Sequence, residues 1–400
     1  MKICGITDDR EDTFLRKNLI WALAMCLLFS LCANSLGEES YVVIDDDGEN
    51  TAPDPIFQAT VMMRRMSDLE KICQLFIVAP EALTGETRTA ALSSDSVISQ
   101  YPVGGVMLFG QNIESEQQLR NLTGQFRSQA ASARMYPLFI AVDEEGGLVS
   151  RVANKLGYDL APSPNEIGKS GDEAQAYAAG QYIAGYLAPL GINLCFAPPA
   201  DTALDNYIDG MQYYGEDPSL VSRLASAMSK GLREGGVVPC YTHFPGRGSF
   251  EGVTLKKLSI KRTAEEMRSS EWIPFREGIQ NDIEMILVSH GLFRLIEDDM
   301  PASTSNRVIN GLLRGELGYQ GVVVTDALRM NAITSNYRTG QECVAALKAG
   351  ADILLLPPDL GRAVRAIQTA ISQGELSMRR IEESVIRILA VKIRMNVGSF

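Results

Sequence analysis

The stretch from Gly321 to Met330 contains the first candidate for chemistry, the carboxylate of Asp326. Val322 to Thr325 is a short β-branched run, which predicts a buried strand that ends at Asp326. Where strands alternate with helices, ligands bind at the carboxyl ends of the parallel strands, so a carboxylate there is a candidate nucleophile or acid. The alternative is a helix cap, in which Asp326 accepts backbone N–H bonds at the start of a helix near Leu328.

Further polar residues follow other predicted strands. They are Asp143, Asp201, Thr242, His243 and His290. Paired carboxylates at one end of a barrel suit hydrolysis of a glycosidic bond, in which one group attacks the anomeric carbon and another protonates the leaving oxygen. Taken one at a time, each acid is better explained as a helix cap or a solvated charge, and each histidine as a packed, hydrogen-bonded imidazole. Together they favour a polar, acid-lined site.

Alternating strands and helices must position these residues. Apolar runs predict seven strands, at 104–110, 137–142, 193–196, 237–242, 285–290, 322–325 and 353–356. Helical patterns separate them, among them 115–133, 218–234 and 264–281. The fold that these elements favour is an α/β fold, the (β/α)8 TIM-type barrel. Seven predicted strands are one fewer than its eight, and the pattern does not locate the remaining strand. A doubly wound open sheet fits nearly as well, but no Gly-x-Gly-x-x-Gly follows an early strand.

Composition excludes several classes of protein. The chain has 400 residues, of which 46% are hydrophobic and 22% charged, as in soluble globular proteins with a sizeable core. A net charge of −12, without a Lys/Arg block interleaved with aromatics, disfavours nucleic acid as a partner. Only two histidines occur, and no Cys-x-x-Cys or His-Glu-x-x-His spacing is present, so we expect no zinc site.

The N-terminal residues 1–35 have the pattern of an export signal. Arg16 and Lys17 precede an apolar run over 19–33 that is short for a bilayer span. Small residues at Ala33 and Ser35 predict cleavage after Ser35, which would leave an exported chain, periplasmic or extracellular. An uncleaved segment that anchors the protein in the membrane is the alternative. A lipid-modified Cys32 is poorly supported because a bulky leucine precedes it.

The mature chain is predicted to begin with a linker. Segment 36–60 is acidic and rich in Asp, Gly and Pro, as flexible linkers are. No Pro/Gly/Ser-rich stretch interrupts 61–400, so we expect one barrel domain there. The cysteines of that domain lie in apolar patterns, which predicts buried free thiols rather than disulfides. They are Cys73, Cys195, Cys240 and Cys343.

Four separated motifs, in this order, resemble those of family 3 glycoside hydrolases. They are Leu138-Phe-Ile-Ala-Val-Asp-Glu-Glu-Gly-Gly-Leu-Val-Ser-Arg151, Tyr214-Gly-Glu-Asp-Pro218, His243-Phe-Pro-Gly246 and Val324-Thr-Asp-Ala-Leu-Arg-Met330. A run at 346–355 extends the resemblance, which covers roughly 66–392. The single-domain length resembles the β-N-acetylhexosaminidase branch, which has a barrel fold and a retaining mechanism and needs no metal or other cofactor. The resemblance implies a carbohydrate partner, a glycan with terminal N-acetylglucosamine such as a peptidoglycan fragment.

The resemblance also implies roles for individual residues. Asp326 matches the nucleophile that forms the glycosyl-enzyme. Asp143, Arg151 and His243 match residues that hold sugar hydroxyls, and a carboxylate with the fixed donors of an arginine suits that task. Met330, which ends the motif of the nucleophile, is assigned to the substrate-binding set with Gln212 and Thr242.

The sequence departs from the family pattern at three places. Thr242 stands where the family usually has lysine, and Gln212 stands where it usually has arginine. The Asp-Ser-His triplet, whose histidine is the general acid/base and whose aspartate orients it, is replaced by Val-Thr-Leu at 253–255. Neither valine nor leucine can transfer a proton. Glu251 on the same loop is a speculative replacement, and a solvent-exposed loop glutamate is the favoured alternative.

The expected function is that of an exported glycoside hydrolase of the β-N-acetylhexosaminidase type, slow or altered in substrate. General acid–base help contributes about 10²–10⁴ in rate, so its loss would slow hydrolysis without abolishing binding. The alternative is a catalytically degenerate barrel that binds cell-wall sugar or a protein partner at the same strand ends. A β-glucosidase relative is less well supported, because those proteins take their acid/base from a further domain.

Overall fold

Eight parallel strands form the core of the structure, a computed structural model that describes residues 43–44, 50–51, 54–84, 100–133, 136–202, 212–246, 259–297 and 299–397. The strands are β1 Phe76–Val78, β2 Gly105–Met107, β3 Phe139–Val142, β4 Leu194–Cys195, β5 Val238–Phe244, β6 Met285–Val288, β7 Val322–Thr325 and β8 Leu354–Leu355. They pair in the order β7, β6, β5, β4, β3, β2, β1, β8. A parallel bridge from Val324 to Ile353 joins the two ends, so the sheet closes and the predicted (β/α)8 barrel is confirmed.

The strand that the pattern did not locate is β1. It follows the helix Asp68–Gln74 with only Leu75 between them. The helix begins at a capping box, in which the Ser67 side chain binds the N–H of Glu70 and the Glu70 side chain returns to the N–H of Ser67. The residues from 72 to 79 are then all buried, and no glycine or proline marks where the helix ends and β1 begins. Without such a marker, the pattern predicts no separate strand in this apolar run.

Helices connect the strands and cover the barrel. In chain order they are α1 Pro55–Arg64, α2 Asp68–Gln74, α3 Pro80–Thr84, α4 Glu116–Ser132, α5 Arg151–Leu156, α6 Pro164–Ser170, α7 Glu173–Leu187, α8 Pro218–Glu234, α9 Ala264–Arg268, α10 Trp272–Gln280, α11 Arg307–Glu316, α12 Asn331–Thr334, α13 Gln341–Ala349, α14 Leu360–Ser372 and α15 Met378–Arg394. Single 3₁₀ turns lie at Gly110–Asn112, Ala188–Leu190 and Ala302–Thr304. α11 is wound with wider, i to i+5 hydrogen bonds.

Two of the predicted helices differ in how clearly the sequence marks their ends. α8 has the predicted bounds, because Asp217 caps its first turn and Pro218 occupies the first helical position. The single helix predicted over 264–281 is instead two helices, α9 and α10, with Ser269 as the C-cap of the first. Glu271, at the N-cap position of α10, makes no side-chain cap bond, and the local sign of this second helix start is Pro274 in its first turn.

The barrel begins earlier than the sequence predicts. The chain divides into two compact units, 1–53 and 54–400, and α1 starts at Pro55, inside the segment predicted as a linker. In the first unit, Val43–Ile44 pairs with Asn50–Thr51 in antiparallel fashion. The predicted signal 1–35 lies outside the described residues. Within the described ranges, no helix combines the length and apolar character needed to cross a bilayer.

The four cysteines of the described residues are buried and free, which confirms the prediction from their apolar surroundings. Burial raises the pKa of the Cys195 thiol, beside the backbone of Glu144. The thiol form is therefore kept, and these side chains pack as small apolar groups.

A buried carboxylate ties the closing strands β7 and β8 to the helices outside. Asp352 lies at the amino end of β8 and is fully buried. Its carboxylate accepts the backbone N–H of Val323 at 3.0 Å and Nη2 of Arg314, from α11, at 2.6 Å. Three more donors come from α15: Ser384 at 2.6 Å, Arg387 at 3.1 Å and Arg380 at 3.5 Å. The arginines hold the pKa of Asp352 below its usual range against the effect of burial.

Candidate active site

The polar residues singled out in the sequence lie at the carboxyl ends of consecutive strands. Asp143 follows β3, Asp201 follows β4, Thr242 and His243 end β5 with Phe244, His290 follows β6 and Asp326 follows β7. These strands are neighbours in the barrel. The residues therefore share the face on which barrel enzymes carry their active sites.

Asp326 is half-buried and belongs to the turn after β7. Its N–H donates to the carbonyl of Val288 at 2.9 Å, which extends the pairing of β6 and β7 by one residue. Its Oδ1 accepts the N–H of Ala327 at 2.7 Å. The next helix, α12, begins at Asn331 with Met330 as its N-cap residue, so the helix-cap alternative for Asp326 is wrong.

His290 joins the end of β6 to the turn that carries Asp326. Its Nδ1 lies 2.7 Å from Oγ of Ser303, and its Nε2 lies 3.0 Å from the carbonyl oxygen of Ala327. Because a carbonyl only accepts, Nε2 carries the proton and the hydroxyl of Ser303 donates to Nδ1 in the neutral ring. Burial lowers the pKa of His290, and the negative charge of Asp326 opposes that effect.

A second histidine, His243, is oriented by a buried carboxylate. Its Nδ1 lies 2.8 Å from Oδ2 of Asp201. The Asp201 side chain is 1% exposed and that of His243 is 12% exposed, so the carboxylate stands behind the ring. Next to this pair, the hydroxyl of Thr242 is buried with no hydrogen-bond partner among the described residues. Such a hydroxyl costs free energy unless a ligand or water meets it.

The third element is the pair of Asp143 and Arg151, at the end of β3 and the start of α5. Nη2 of Arg151 lies 3.8 Å from Oδ2 of Asp143, and the Arg151 N–H donates to the Asp143 carbonyl at 3.4 Å. The arginine is 44% exposed and the aspartate 26%, so both reach the surface of this face. They can offer fixed donors and acceptors to a polyhydroxylated ligand.

Glu144 supports this pair from behind. The side chain is fully buried and accepts the N–H groups of Val152 at 2.8 Å and Ala153 at 3.0 Å, at the amino end of α5. The hydroxyl of Tyr186 donates to it at 2.8 Å. Burial raises the pKa of Glu144, and these donors act against that effect. Glu144 thus fixes the helix whose first residue is Arg151.

The remaining predicted site residues lie at the surface, are half-buried, or fall outside the described ranges. Gln212 is half-buried, directly before the buried Tyr213. Met330 is 37% exposed and donates its N–H to the Ala327 carbonyl at 2.9 Å. Glu251 and the residues 253–255, which replace the acid/base triplet, lie outside the described residues. Within the described ranges, no group of three or more His, Cys, Asp or Glu side chains could hold a metal ion.

Position at the strand ends, rather than cavity size, identifies the site. A cavity of about 450 Å³ lies beside Arg151 and is lined by Phe109, Gly110, Ser150, Asn154 and Lys155. The guanidinium of Arg329, three residues after Asp326, stacks on the Phe109 ring at 4.9 Å. A larger cavity of about 900 Å³ lies outside the barrel between α7, α8 and α10, and none of the strand-end residues lines it.

Sequence reasoning found the polar residues at the strand ends and missed those that hold them in place. Asp201 was recognised as a strand-end acid but not as the partner of His243, and Glu144, Tyr186 and Ser303 were not singled out at all. The buried acid Glu144 had one sequence signal, its place in the Asp-Glu-Glu run after β3. The contacts of Tyr186 and Ser303 had none, because they join residues 42 and 13 positions apart.

A closed (β/α)8 barrel with acids and histidines at its strand ends defines a class of protein, the TIM-type barrels, whose members carry active sites on this face. The Glycosyl hydrolase family 3 N terminal domain matches residues 69–391. The chain belongs to glycosyl hydrolase family 3, which confirms the resemblance of its motifs.

Individual relatives extend this finding. Beta-hexosaminidase A of Pseudoalteromonas piscicida is 29% identical over 332 residues, which cover 76% of this chain and 55% of that protein. An uncharacterized secreted glycosyl hydrolase of Arthroderma benhamiae is 32% identical over 312 residues, 74% of this chain and 87% of the relative. The solved family 3 beta-N-acetylglucosaminidase of Paenibacillus sp. strain FPU-7 superposes with a TM-score of 0.78 at 35% identity, and covers 84% of this chain and 64% of its own. The chain thus spans only part of the first and third of these proteins.

Proposed function

We propose that the protein is an exported glycoside hydrolase of the β-N-acetylhexosaminidase type, which retains the anomeric configuration through Asp326 as nucleophile. The observation that carries this proposal is the half-buried carboxylate of Asp326 at the end of β7, in a family 3 barrel, where it caps no helix. The hexosaminidase name of the Pseudoalteromonas relative supports a glycan with terminal N-acetylglucosamine as the substrate.

In the first step, the Asp326 carboxylate attacks the anomeric carbon while the bond to the leaving oxygen breaks, and that oxygen takes a proton. In the second step, water attacks the same carbon, gives up a proton and releases Asp326 as a carboxylate. The N–H of Ala327, which donates to Oδ1, holds the carboxylate in one orientation between the two steps. The chemistry uses protein groups and water, so the proposal requires no metal or other cofactor.

The sugar would be held by the groups around Asp326. Asp143 and Arg151 would bind hydroxyls on one side, and His243, oriented by Asp201, would bind them on the other. The buried hydroxyl of Thr242 would gain a partner when a sugar enters. Gln212 and Met330 complete the predicted substrate-binding set.

For protonation of the leaving oxygen, the sequence lacks the Asp-Ser-His triplet of the family. With Val-Thr-Leu at 253–255 in place of the triplet, we propose that hydrolysis is slow on glycosides with poor leaving groups, and that Glu251 is the candidate acid/base. A retaining glycosidase places its two carboxyl groups about 5–5.5 Å apart, which is the distance that Glu251 would have to reach.

The same proposal includes the organisation of the chain. Residues 1–35 would direct export to the periplasm or the cell exterior, and contact with a membrane would be limited to that segment if it stays uncleaved. The secreted name of the Arthroderma relative supports export. Residues 36–53 would link the signal to the barrel unit, which starts at Asp54.

The test of the nucleophile is release of 4-nitrophenol from 4-nitrophenyl N-acetyl-β-glucosaminide by the purified protein and by Asp326→Asn. This leaving group needs little acid assistance, so the nucleophile is tested alone. We expect Asp326→Asn to lose about 10³-fold or more of kcat, as enzymes do when a covalent nucleophile is removed. Proton NMR of the first-formed sugar should show the β anomer; the α anomer would exclude the retaining mechanism.

The test of the acid/base compares Glu251→Gln with Glu265→Gln, an 89% exposed glutamate of α9, on this substrate and on N,N′-diacetylchitobiose. We expect Glu251→Gln to lose activity on the disaccharide and to keep most of it on the nitrophenyl glycoside. Equal behaviour of the two variants on the disaccharide would remove Glu251 from the mechanism.

A second candidate function rests on the missing triplet. A barrel without a proton donor can still bind sugar through Asp143, Arg151 and His243. Activity no higher than that of Asp326→Asn, on glucoside and xyloside analogues as well, together with calorimetric binding of N-acetylglucosamine oligomers, would establish a sugar-binding protein instead.

A further inference from the structure

We propose that His290 is a positioning residue for Asp326: its Nε2–H, hydrogen-bonded to the carbonyl of Ala327, holds the turn that aims the nucleophile. The inference rests on the proposed role of Asp326, and no sequence motif assigned a role to His290. It concerns a residue that acts through the backbone and not on the sugar.

The backbone ladder between β6 and β7 ends at the nucleophile itself. The last bond runs from the Asp326 N–H to the Val288 carbonyl at 2.9 Å. Beyond this bond, the contact is made by the His290 side chain, whose Nε2 lies 3.0 Å from the carbonyl oxygen of Ala327. A side chain that follows β6 therefore continues the contact with the β7 turn for one more residue.

Ala327 is held at both of its backbone polar groups. Its N–H donates to Oδ1 of Asp326 at 2.7 Å, and its carbonyl accepts from His290 and from the N–H of Met330 at 2.9 Å. The carboxylate and the histidine thus act on the same residue from opposite sides. A rotation of this residue would move the N–H that orients the carboxylate, and a misplacement of about 1 Å in a reacting group can cost about 10²-fold in rate.

The hydroxyl of Ser303 fixes which nitrogen of His290 donates. Ser303 is fully buried and comes from the turn Ala302–Thr304, and its Oγ lies 2.7 Å from Nδ1. By donating to Nδ1 it keeps the proton on Nε2, where Ala327 needs it.

Two substitutions separate this role from simple packing. In His290→Gln the amide nitrogen can reach the former Nε2 position and donate to Ala327, whereas in His290→Asn it reaches only the Nδ1 position beside Ser303. Both remove the ring, and asparagine is smaller than glutamine by one methylene. We expect His290→Asn to lower kcat on the nitrophenyl glycoside about 10²-fold with little change in KM, and His290→Gln to restore most of it. Equal loss in the two variants would overturn the proposal.

Hydrogen exchange tests the same contact without relying on activity. The peptide that covers 322–330 contains the Ala327 amide, which is bonded to Asp326. Mass spectrometry should show faster exchange in this peptide for His290→Asn than for His290→Gln or the parent protein. Unchanged exchange in His290→Asn would refute the positioning role even if the protein has no hydrolase activity, so this result is independent of the proposed function.

Ser303→Ala is a milder second variant in case the histidine variants do not fold. It leaves the imidazole in place and removes the hydroxyl that fixes its tautomer. We expect about a tenfold loss of kcat and faster exchange in the same peptide, with a melting temperature close to that of Thr304→Ser. A kcat within twofold of the parent would contradict the assignment of the tautomer to Ser303.

Discussion

Asp352→Asn is expected to be among the most destabilising single-atom changes in this barrel. The substitution keeps the shape of the side chain but removes its charge and replaces one acceptor oxygen by a donor NH2 group. Both carboxylate oxygens are in use: Oδ2 accepts from Val323 and Arg314, and Oδ1 from Ser384, Arg387 and Arg380. In either orientation, the new NH2 group faces at least two donors.

The magnitude follows from these contacts. Removing one partner of a buried ion pair costs about 3–5 kcal/mol, because the other charge stays buried without compensation. Here the guanidiniums of Arg314, Arg380 and Arg387 would remain near each other without the anion that they share. We therefore expect a loss of about 4 kcal/mol in the free energy of unfolding. Domains are stable by about 5–15 kcal/mol, so the variant should fold but unfold at much lower denaturant concentration.

The assay is urea denaturation followed by circular dichroism and tryptophan fluorescence. The matched control is Asp359→Asn, at the exposed N-cap of α14, where asparagine caps as well as aspartate does and the change should be below about 0.5 kcal/mol. A loss below about 1 kcal/mol for Asp352→Asn, similar to that of the control, would refute the reasoning.

The dependence on pH has a definite sign. The folded-state pKa of Asp352 is lowered, so its ion pairs add stability above the unfolded pKa of about 4, and this stability is lost as the pH falls through the folded value. The difference between the parent protein and Asp352→Asn should therefore be constant from about pH 5 to pH 8 and shrink only below about pH 4.

Two further predictions concern a buried lysine and a pair of helical glycines. Burial lowers the pKa of Lys392 to about 7, with Gln74 and Gly104 as neutral acceptors, so the folded state binds fewer protons than the unfolded chain up to about pH 10. Unfolding free energy relative to Lys392→Met should rise by about 1 kcal/mol per pH unit from pH 7 to pH 9 in urea titrations; parallel curves would contradict the lowered pKa. Gly168→Ala should cost about 1–3 kcal/mol, because a Cβ there would lie 1.6 Å from the Tyr214 carbonyl oxygen. Gly124→Ala, in α4 with no atom within 4 Å of the new Cβ, should instead gain up to about 1 kcal/mol, and thermal melts that move both variants in the same direction would exclude this account.

Much of the barrel could be predicted from the sequence because its elements are marked locally. The β-branched run before Asp326 and the Asp217–Pro218 start of α8 carry their own signals in a few neighbouring residues. The strand β1 could not be found in this way, since it follows α2 inside one continuous apolar run. The break between α9 and α10 was missed for a different reason, because Pro274 in the first turn of α10 was not read as the start of a second helix.

The features of the candidate site also separate into those that local sequence patterns identify and those that only the tertiary contacts reveal. The sequence by itself determined which polar residues stand at strand ends, since a strand that ends in an acid is a local pattern and Asp143 and Asp326 both show it. Only the tertiary structure decided that Asp326 caps no helix, that Asp201 stands behind His243, and that His290 reaches Ala327, 37 positions further on. Local periodicity records which residues are buried but not which residue each one meets. Those partners are chosen when the barrel closes and every buried polar group must find one.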